Sequence, residues 1–134
     1  MTLHHVELWV PSLERAEATL GWLLTSLGWT EYQRWSAGVS WKLGPTYVVV
    51  EQSPALTSGH DRLHAGLNHL ALHAGSRSDV DALTAQALER GWKLMFADRH
   101  PHAGGDDHYA AYLENSDGFE IELVSSHPNG RVDH

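Results

Sequence analysis

Residues 3–10, LHHVELWV, recur later in the chain as LNHLALHA at residues 67–74, with the shared pattern Leu-x-His-aliphatic-x-Leu. His5 and His69 hold the same place in the two copies. Each copy alternates in the way that strands do, and each is followed by a segment with apolar residues at helical spacing, about 12–27 and 78–90. A strand and a helix repeated in this order predict two copies of one structural module.

Three further strand-like runs follow each predicted helix, and both helices end at a Gly-Trp pair whose glycine can take the left-handed cap position. Ser78 followed by Asp81 resembles a capping box at the start of the second helix. The six runs are residues 29–35, 39–43, 46–52, 92–97, 108–114 and 118–124. The chain therefore predicts an α+β fold of two βαβββ modules within a single domain.

The predicted modules and their boundary follow from these runs. The domain spans 1–134, with one module at 3–52, a second at 67–126, and a linker at 53–66 that holds Pro54, Gly59 and Gly66. A module of this size buries too little apolar surface by itself. The two sheets are therefore expected to join, either within one chain or between two chains.

Composition narrows the class of function. The chain has 134 residues, a formal charge of −8 and only nine Lys and Arg, which argues against a nucleic-acid partner. It has no apolar run of membrane-spanning length and no signal-peptide pattern, so we expect a cytoplasmic protein without a membrane partner. With no Cys and eleven His, a metal site must use imidazole and carboxylate, which suits Zn, Ni, Co, Mn or Fe(II).

Strand alternation predicts which side chains share a face. In each module the aliphatic set packs on the helix, and one His and one Glu project from the other face. These four residues are His5, Glu51, His69 and Glu122. If the modules pair by pseudo-twofold symmetry, the four converge on one divalent metal ion per site. The alternative for each residue alone is an ordinary solvated or core side chain, and Glu120 is expected to be solvated.

The chain resembles the vicinal oxygen chelate superfamily, which includes glyoxalase I, fosfomycin-resistance proteins, extradiol dioxygenases and bleomycin-binding proteins. The resemblance covers residues 3–126 and is carried by LHHVELWVPSLERA, LGW, VVVEQ, LNHLALHA and above all SDGFEIELV. It implies a glyoxalase-like fold, and the order His5, Glu51, His69, Glu122 is similar to the metal set of bacterial glyoxalase I.

The resemblance also implies a chemistry. A divalent ion would chelate two neighbouring oxygens of a small-molecule substrate and stabilise an enediolate. Glu122 and Glu51 would serve as the catalytic base and acid. The sequence therefore predicts a metal-dependent lyase or isomerase. The alternatives are an Fe(II) extradiol-type dioxygenase using His5, His69 and Glu122, and a non-catalytic drug- or metabolite-binding resistance protein.

Some features depart from glyoxalase I or leave two interpretations open. Trp9 stands where the resemblance implies an arginine that grips the glutathione carboxylate. Trp9, Trp35 and Trp41 either line a pocket or fill the core. In the segment 98–109, His100, His102 and His108 either close over the site and supply a proton or belong to a solvated loop.

A homodimer is the predicted assembly. Relatives of this length with four metal ligands pair two chains, as the resemblance implies, so that each site takes a module from both. The linker at 53–66 is long enough for such an exchange. We therefore expect a twofold-symmetric homodimer with two equivalent sites.

Overall fold

Two four-stranded sheets, one in each half of the chain, carry the fold. The computed structural model describes residues 1–126. It divides into two units, Met1–His60 and a second unit that begins at Asp61. The division falls inside the predicted linker. Both units have the predicted βαβββ order, so the predicted α+β fold is confirmed.

The first unit contains four strands and one continuous helical segment. Its strands are β1 His5–Trp9, β2 Thr30–Trp35, β3 Gly38–Leu43 and β4 Thr46–Glu51. The helical segment is α1 Leu13–Ala16, a π-helical turn Glu17–Gly21 and α2 Trp22–Ser26. The sheet order is β1-β4-β3-β2, with β1 parallel to β4. The hydroxyl of Ser12 accepts from Arg15 N and caps the helix.

The core of the first unit lies between the helical segment and one face of its sheet. Leu8 of β1 and Val10, immediately after that strand, are buried as alternation predicts. Trp41 of β3 is 4 % exposed, and its indole occupies the space beside the helical residue Gly21. A Cβ on that glycine would lie 2.5 Å from Trp41 Cζ2. Of the two roles left open for Trp41, the structure assigns core filling.

We expect Gly21→Ala to destabilise the protein by about 1–3 kcal/mol, because an added methyl group must displace the buried Trp41 ring. Chemical denaturation followed by circular dichroism gives the free energy of unfolding. Gly59→Ala is the matched control, since a Cβ at Gly59 meets no atom within 4 Å. Equal stability of the two variants would contradict the packing described for Trp41.

The second unit repeats the architecture with shorter strands. Its elements are β5 Leu70–His73, α3 Arg77–Leu88, β6 Lys93–Leu94, β7 Ala110–Glu114 and β8 Glu120–Val124. The sheet order is β5-β8-β7-β6, with β5 parallel to β8. The predicted strand 92–97 is reduced to two residues. The chain turns at Phe96, whose φ is 53° and whose carbonyl accepts from Arg99 N and His100 N.

The capping residue of the second helix lies two residues earlier than predicted. The capping box is formed by Ser76 and Asp79, and not by Ser78 and Asp81. The hydroxyl of Ser76 accepts from Asp79 N, and the Asp79 carboxylate accepts from Ser76 N, which lowers the pKa of Asp79. The hydroxyl of Ser78 is hydrogen-bonded to the Ser76 hydroxyl instead. Both Ser-x-x-Asp spacings are present in the sequence, so the pattern alone could not choose between them.

The final strand separates an apolar face from a polar face. Ile121 and Leu123 are 2 % and 0 % exposed, and Val80, Leu83 and Ala87 of α3 are buried as well. The opposite face carries the two carboxylates of β8. Among residues 1–126, no helix has the length and apolar character needed to cross a membrane.

Candidate functional site

A buried carboxylate on β8 is the centre of a polar cluster in the second unit. Glu122 is only 6 % exposed and lies opposite Ala71 of β5 and Tyr112 of β7. Nε2 of His69 lies 3.0 Å from its Oε1, and Nε2 of His108 is hydrogen-bonded to its Oε2. The structure therefore brings together two of the predicted ligands, His69 and Glu122, and adds His108.

The neighbouring Asn68 sets the orientation of the His69 ring. The Asn68 amide donates through Nδ2 to the Arg62 carbonyl at 3.1 Å, so its Oδ1 is the end that accepts from His69 Nδ1, at 2.7 Å. With Nδ1 as the donor, the lone pair of a neutral ring lies on Nε2, which faces Glu122. Two lone pairs do not face each other stably at 3.0 Å. The space between His69 Nε2 and Glu122 Oε1 therefore needs a proton or a metal cation.

Tyr112 supports Glu122 from the adjacent strand. Burial, followed by the charge of Glu122 and a hydrogen bond to it, raises the pKa of Tyr112 to about 12. The phenol therefore remains protonated at neutral pH and donates to the carboxylate. The ring also meets His69 edge-on, with 5.8 Å between ring centroids. Tyr112 thus restrains both predicted ligands, and strand alternation could have found it, since it lies directly across from Glu122.

His108 belongs to the Glu122 cluster, and the sequence left its role undecided. It lies in the irregular segment between β6 and β7, where alternation gives no face. The structure excludes the solvated-loop interpretation for this histidine, because its ring is hydrogen-bonded to the buried Glu122. His102 has a different place: its Nδ1 bonds the backbone carbonyl of His108 at 3.1 Å. The position of His108 in the sequence could have indicated its place in the cluster, because it lies just before β7, the strand that pairs with β8.

The prediction that Glu120 is solvated is wrong. It is 4 % exposed, on the same face as Glu122. Arg62 Nη1 lies 3.5 Å from one carboxylate oxygen, and His69 Nδ1 lies 3.9 Å from the other. Burial raises the pKa of Glu120, the nearby His69 and Arg62 oppose that rise, and Glu114 and Glu122 add to it. Glu120 and Glu122 lie on the same face of β8, and both carboxylates are buried there.

This raised pKa predicts a pH-dependent gain in stability for Glu120→Gln. The folded state disfavours the charged carboxylate, so the cost is absent below the ordinary glutamate value of 4.5 and develops as the pH rises through the folded pKa. The amide cannot ionise. The melting temperature of the variant should therefore increase relative to wild type between pH 4 and pH 8, with Glu89→Gln, at an exposed carboxylate, as the control. A variant that loses stability relative to wild type as the pH rises would contradict this sign.

The two predicted ligands of the first unit lie apart. His5 pairs with Tyr47 and Glu51 with Trp9, so the two residues stand at opposite ends of the β1–β4 pair. Four residues along a strand span about 13 Å. The His5 ring stacks on Tyr47 at 4.8 Å between centroids, and Glu51 Oε1 accepts from the Trp35 indole at 3.2 Å. The two side chains share the predicted face, but the structure does not bring them together.

The strand registers also correct the repeat equivalence of the two glutamates. Glu122 pairs with the residue two places after His69, since its partner is Ala71. In the first unit, the residue two places after His5 is Glu7, and its partner on β4 is Val49. Glu51 lies one pleat further along and is equivalent to Val124, the partner of His73. Alternation fixes the face of a side chain but not its position along the strand, and that is why the sequence pattern misplaced Glu51.

The remaining tryptophans in question are partly exposed. Trp9 is 41 % exposed and donates from its indole to Glu7 at 2.8 Å. Trp35 is 38 % exposed and donates to Glu51. Neither fills the core of the first unit.

The donor chemistry of the Glu122 cluster is suited to a divalent metal. Within the described part of the chain, no three histidine or acidic side chains already surround a point where a metal ion could be held. The ring nitrogens are hydrogen-bonded to the carboxylate oxygens instead. Even so, His69 has the arrangement usual for a metal ligand, with one ring nitrogen held by an outer acceptor and the other directed at an anionic partner. The residues present therefore fit a metal.

Comparison with known proteins gives a consistent family assignment. The model of the Glyoxalase/Bleomycin resistance protein/Dioxygenase superfamily matches residues 4–112. The uncharacterized protein YqjT of Bacillus subtilis (strain 168) is 45 % identical over 125 residues, which cover 92 % of this chain and 98 % of that protein.

Solved structures agree with this result. A candidate glyoxalase from Bacillus halodurans superposes with a TM-score of 0.88 and is 46 % identical, covering 92 % of this chain and 95 % of that one. Lactoylglutathione lyase from Agrobacterium tumefaciens superposes with a TM-score of 0.63 at 18 % identity, covering 93 % of each chain. The second likeness concerns the fold alone.

Proposed function

Because the chain belongs to the glyoxalase/bleomycin resistance protein/dioxygenase superfamily, we propose that it is a divalent-metal-dependent lyase or isomerase. Its substrate would be a small molecule with two neighbouring oxygen atoms. The observation that carries the proposal is the pair formed by His69 and Glu122. The ring is oriented by Asn68 so that Nε2 faces a buried carboxylate oxygen at 3.0 Å.

His69 and Glu122 are the residues of the second unit that would hold the metal. Zn, Ni, Co, Mn and Fe(II) all accept this combination of imidazole and carboxylate. A bound divalent ion would polarise a substrate carbonyl and acidify the neighbouring C–H bond. His5 remains a sequence-based prediction, and the metal affinity of His5→Ala tests it.

Glu122 is the base in this proposal. The buried carboxylate can take a proton from a bound substrate and return it. Tyr112, whose pKa is raised to about 12, continues to donate throughout. Glu51 has no part in the proposal, because its register separates it from His5 and its carboxylate accepts from Trp35.

One observation favours the dioxygenase as a second candidate. A Glu51 ligand would argue against this chemistry, because it would fill a metal position that oxygen needs. The register of β4 weakens that argument, since Val49 and not Glu51 corresponds to Glu122. A set of two histidines and one carboxylate with open positions is typical of Fe(II) oxygenases.

Solvent-exchange measurements separate the candidates. We expect the metal-loaded protein to exchange a C–H hydrogen of small α-hydroxyketones or α-ketoaldehydes with D2O, as followed by NMR, and expect the metal-free protein and Glu122→Gln not to do so. Oxygen uptake with catechols in the presence of Fe(II) would instead identify the dioxygenase. Saturable quenching of tryptophan fluorescence without exchange or oxygen uptake would identify a binding protein and overturn the enzyme proposal.

The homodimer and the cytoplasmic location predicted from the sequence stay predictions. Light scattering at micromolar concentration measures the first directly.

A further inference from the structure

The Glu122 carboxylate has an imidazole on each of its oxygens, and only one of those rings was predicted from the sequence. We propose that His108 is a third donor to the metal, so that His69, His108 and Glu122 of the second unit all bind the same cation. This inference rests on the proposed function, since it assumes a metal at Glu122. It adds a ligand that neither the repeat nor the family pattern assigns.

The two histidines are placed alike with respect to the carboxylate. Nε2 of His69 faces Oε1, and Nε2 of His108 faces Oε2. Their side chains are 30 % and 32 % exposed, against 7 % for Glu122, so both rings are half-buried around a covered anion. In the described part of the chain the three side chains do not yet surround one point, so binding a common cation requires the two rings and the carboxylate to rotate.

The segment that carries His108 is shaped around this cluster. A Cβ at Gly104 would lie 2.6 Å from His108 Cδ2 and 2.6 Å from the Tyr112 hydroxyl oxygen. Only glycine allows the backbone to pass so close to both rings. Two hydrogen bonds fix the backbone of His108. One joins His102 Nδ1 to the His108 carbonyl, and the other runs from His108 N to the Gly105 carbonyl. The His108 ring is therefore positioned by a packed turn and not by a freely moving loop.

The strand registers place no first-unit carboxylate at the position that corresponds to Glu122, so the proposed metal site needs a donor from elsewhere. In the first unit Val49 occupies the place that corresponds to Glu122, and valine cannot bind a metal. The four-donor set predicted from the sequence therefore lacks the support that made Glu51 its fourth member. His108 supplies a donor from a place that the repeat does not contain. Two imidazoles and one carboxylate form a donor set common for Zn, Fe(II), Co and Ni, with positions left for substrate oxygens.

The test counts the imidazoles that bind Zn(II). The full-length chain is labelled with 15N-histidine and titrated with Zn(II), and the ring nitrogens are followed by NMR, with His69→Ala, His108→Ala and His73→Ala assigning the signals. We expect the Nε2 resonances of both His69 and His108 to move to metal-bound positions, while the exposed His73 stays unchanged. If Nε2 of His69 moves and Nε2 of His108 does not, the inference is overturned and the proposed function stands.

Calorimetric titration with Zn(II) provides a second readout that also covers a poorly folding variant. His108→Gln keeps a hydrogen-bond donor beside Glu122 but removes the imidazole. We expect both His108→Ala and His108→Gln to weaken Zn(II) binding by more than about 100-fold, beyond the roughly 10- to 100-fold range typical of outer-sphere partners. Full affinity in His108→Gln sinks the inference alone. Full affinity in His69→Ala and Glu122→Gln as well would show that the proposed function itself has failed.

Discussion

Replacing Glu122 by Gln is expected to reduce the affinity for divalent metal by at least about 100-fold while the protein stays folded. The amide has nearly the same shape and still accepts from Tyr112, but it lacks the charge that a dication requires. It also cannot take a proton from a substrate, so exchange with solvent should be lost even at saturating metal.

The control for this prediction is His73→Ala. His73 is the exposed last residue of β5, the strand that begins immediately after His69. Its removal should leave metal affinity unchanged. Equal affinities of Glu122→Gln and wild type, measured by calorimetry with Ni(II) or Zn(II), would show that the carboxylate is a hydrogen-bonding group only.

Truncation of Leu123 to Ala is expected to lower the free energy of unfolding by about 2–5 kcal/mol. The side chain is fully buried on the helix-facing side of β8, directly behind the strand segment that carries Glu122. The loss combines the transfer of apolar surface with the cavity left in a packed core. Denaturant unfolding measures it.

The matched control is Leu88→Ala at the end of α3, where the side chain is 47 % exposed. We expect that variant to change stability by less than about 0.5 kcal/mol. A Leu123→Ala variant as stable as Leu88→Ala would mean that the apolar face of β8 is not part of the core.

The sequence correctly predicted which face of a strand a side chain occupies, because side chains alternate between the two faces. His69 and Glu122 share a face because each is an odd number of residues from the aliphatic side chains that pack on the helix, and the structure places them 3.0 Å apart. Glycine at the helix ends was equally informative, since Gly28 and Gly91 adopt φ of 93° and 91°. These features follow from local geometry that a single chain segment determines.

Position along a strand and the course of irregular segments could not be obtained in this way. Glu51 has the right parity but the wrong register, because register depends on the pairing of β1 with β4 and not on alternation within either strand. His108 lies outside any periodic segment. The burial of Glu120 was missed for a different reason. Glu120 and Glu122 lie on the same face of β8, so a buried site at Glu122 already implied that Glu120 is buried as well.

The central claim is that the second unit holds a divalent metal through His69 and Glu122. Elemental analysis of protein purified without an affinity tag or added chelator tests it most directly. About one ion per chain is predicted in wild type, with His69→Ala and Glu122→Gln losing most of it. Folded wild-type protein that carries no divalent metal, and takes up none when Zn, Ni, Co, Mn and Fe(II) are offered, would contradict the claim.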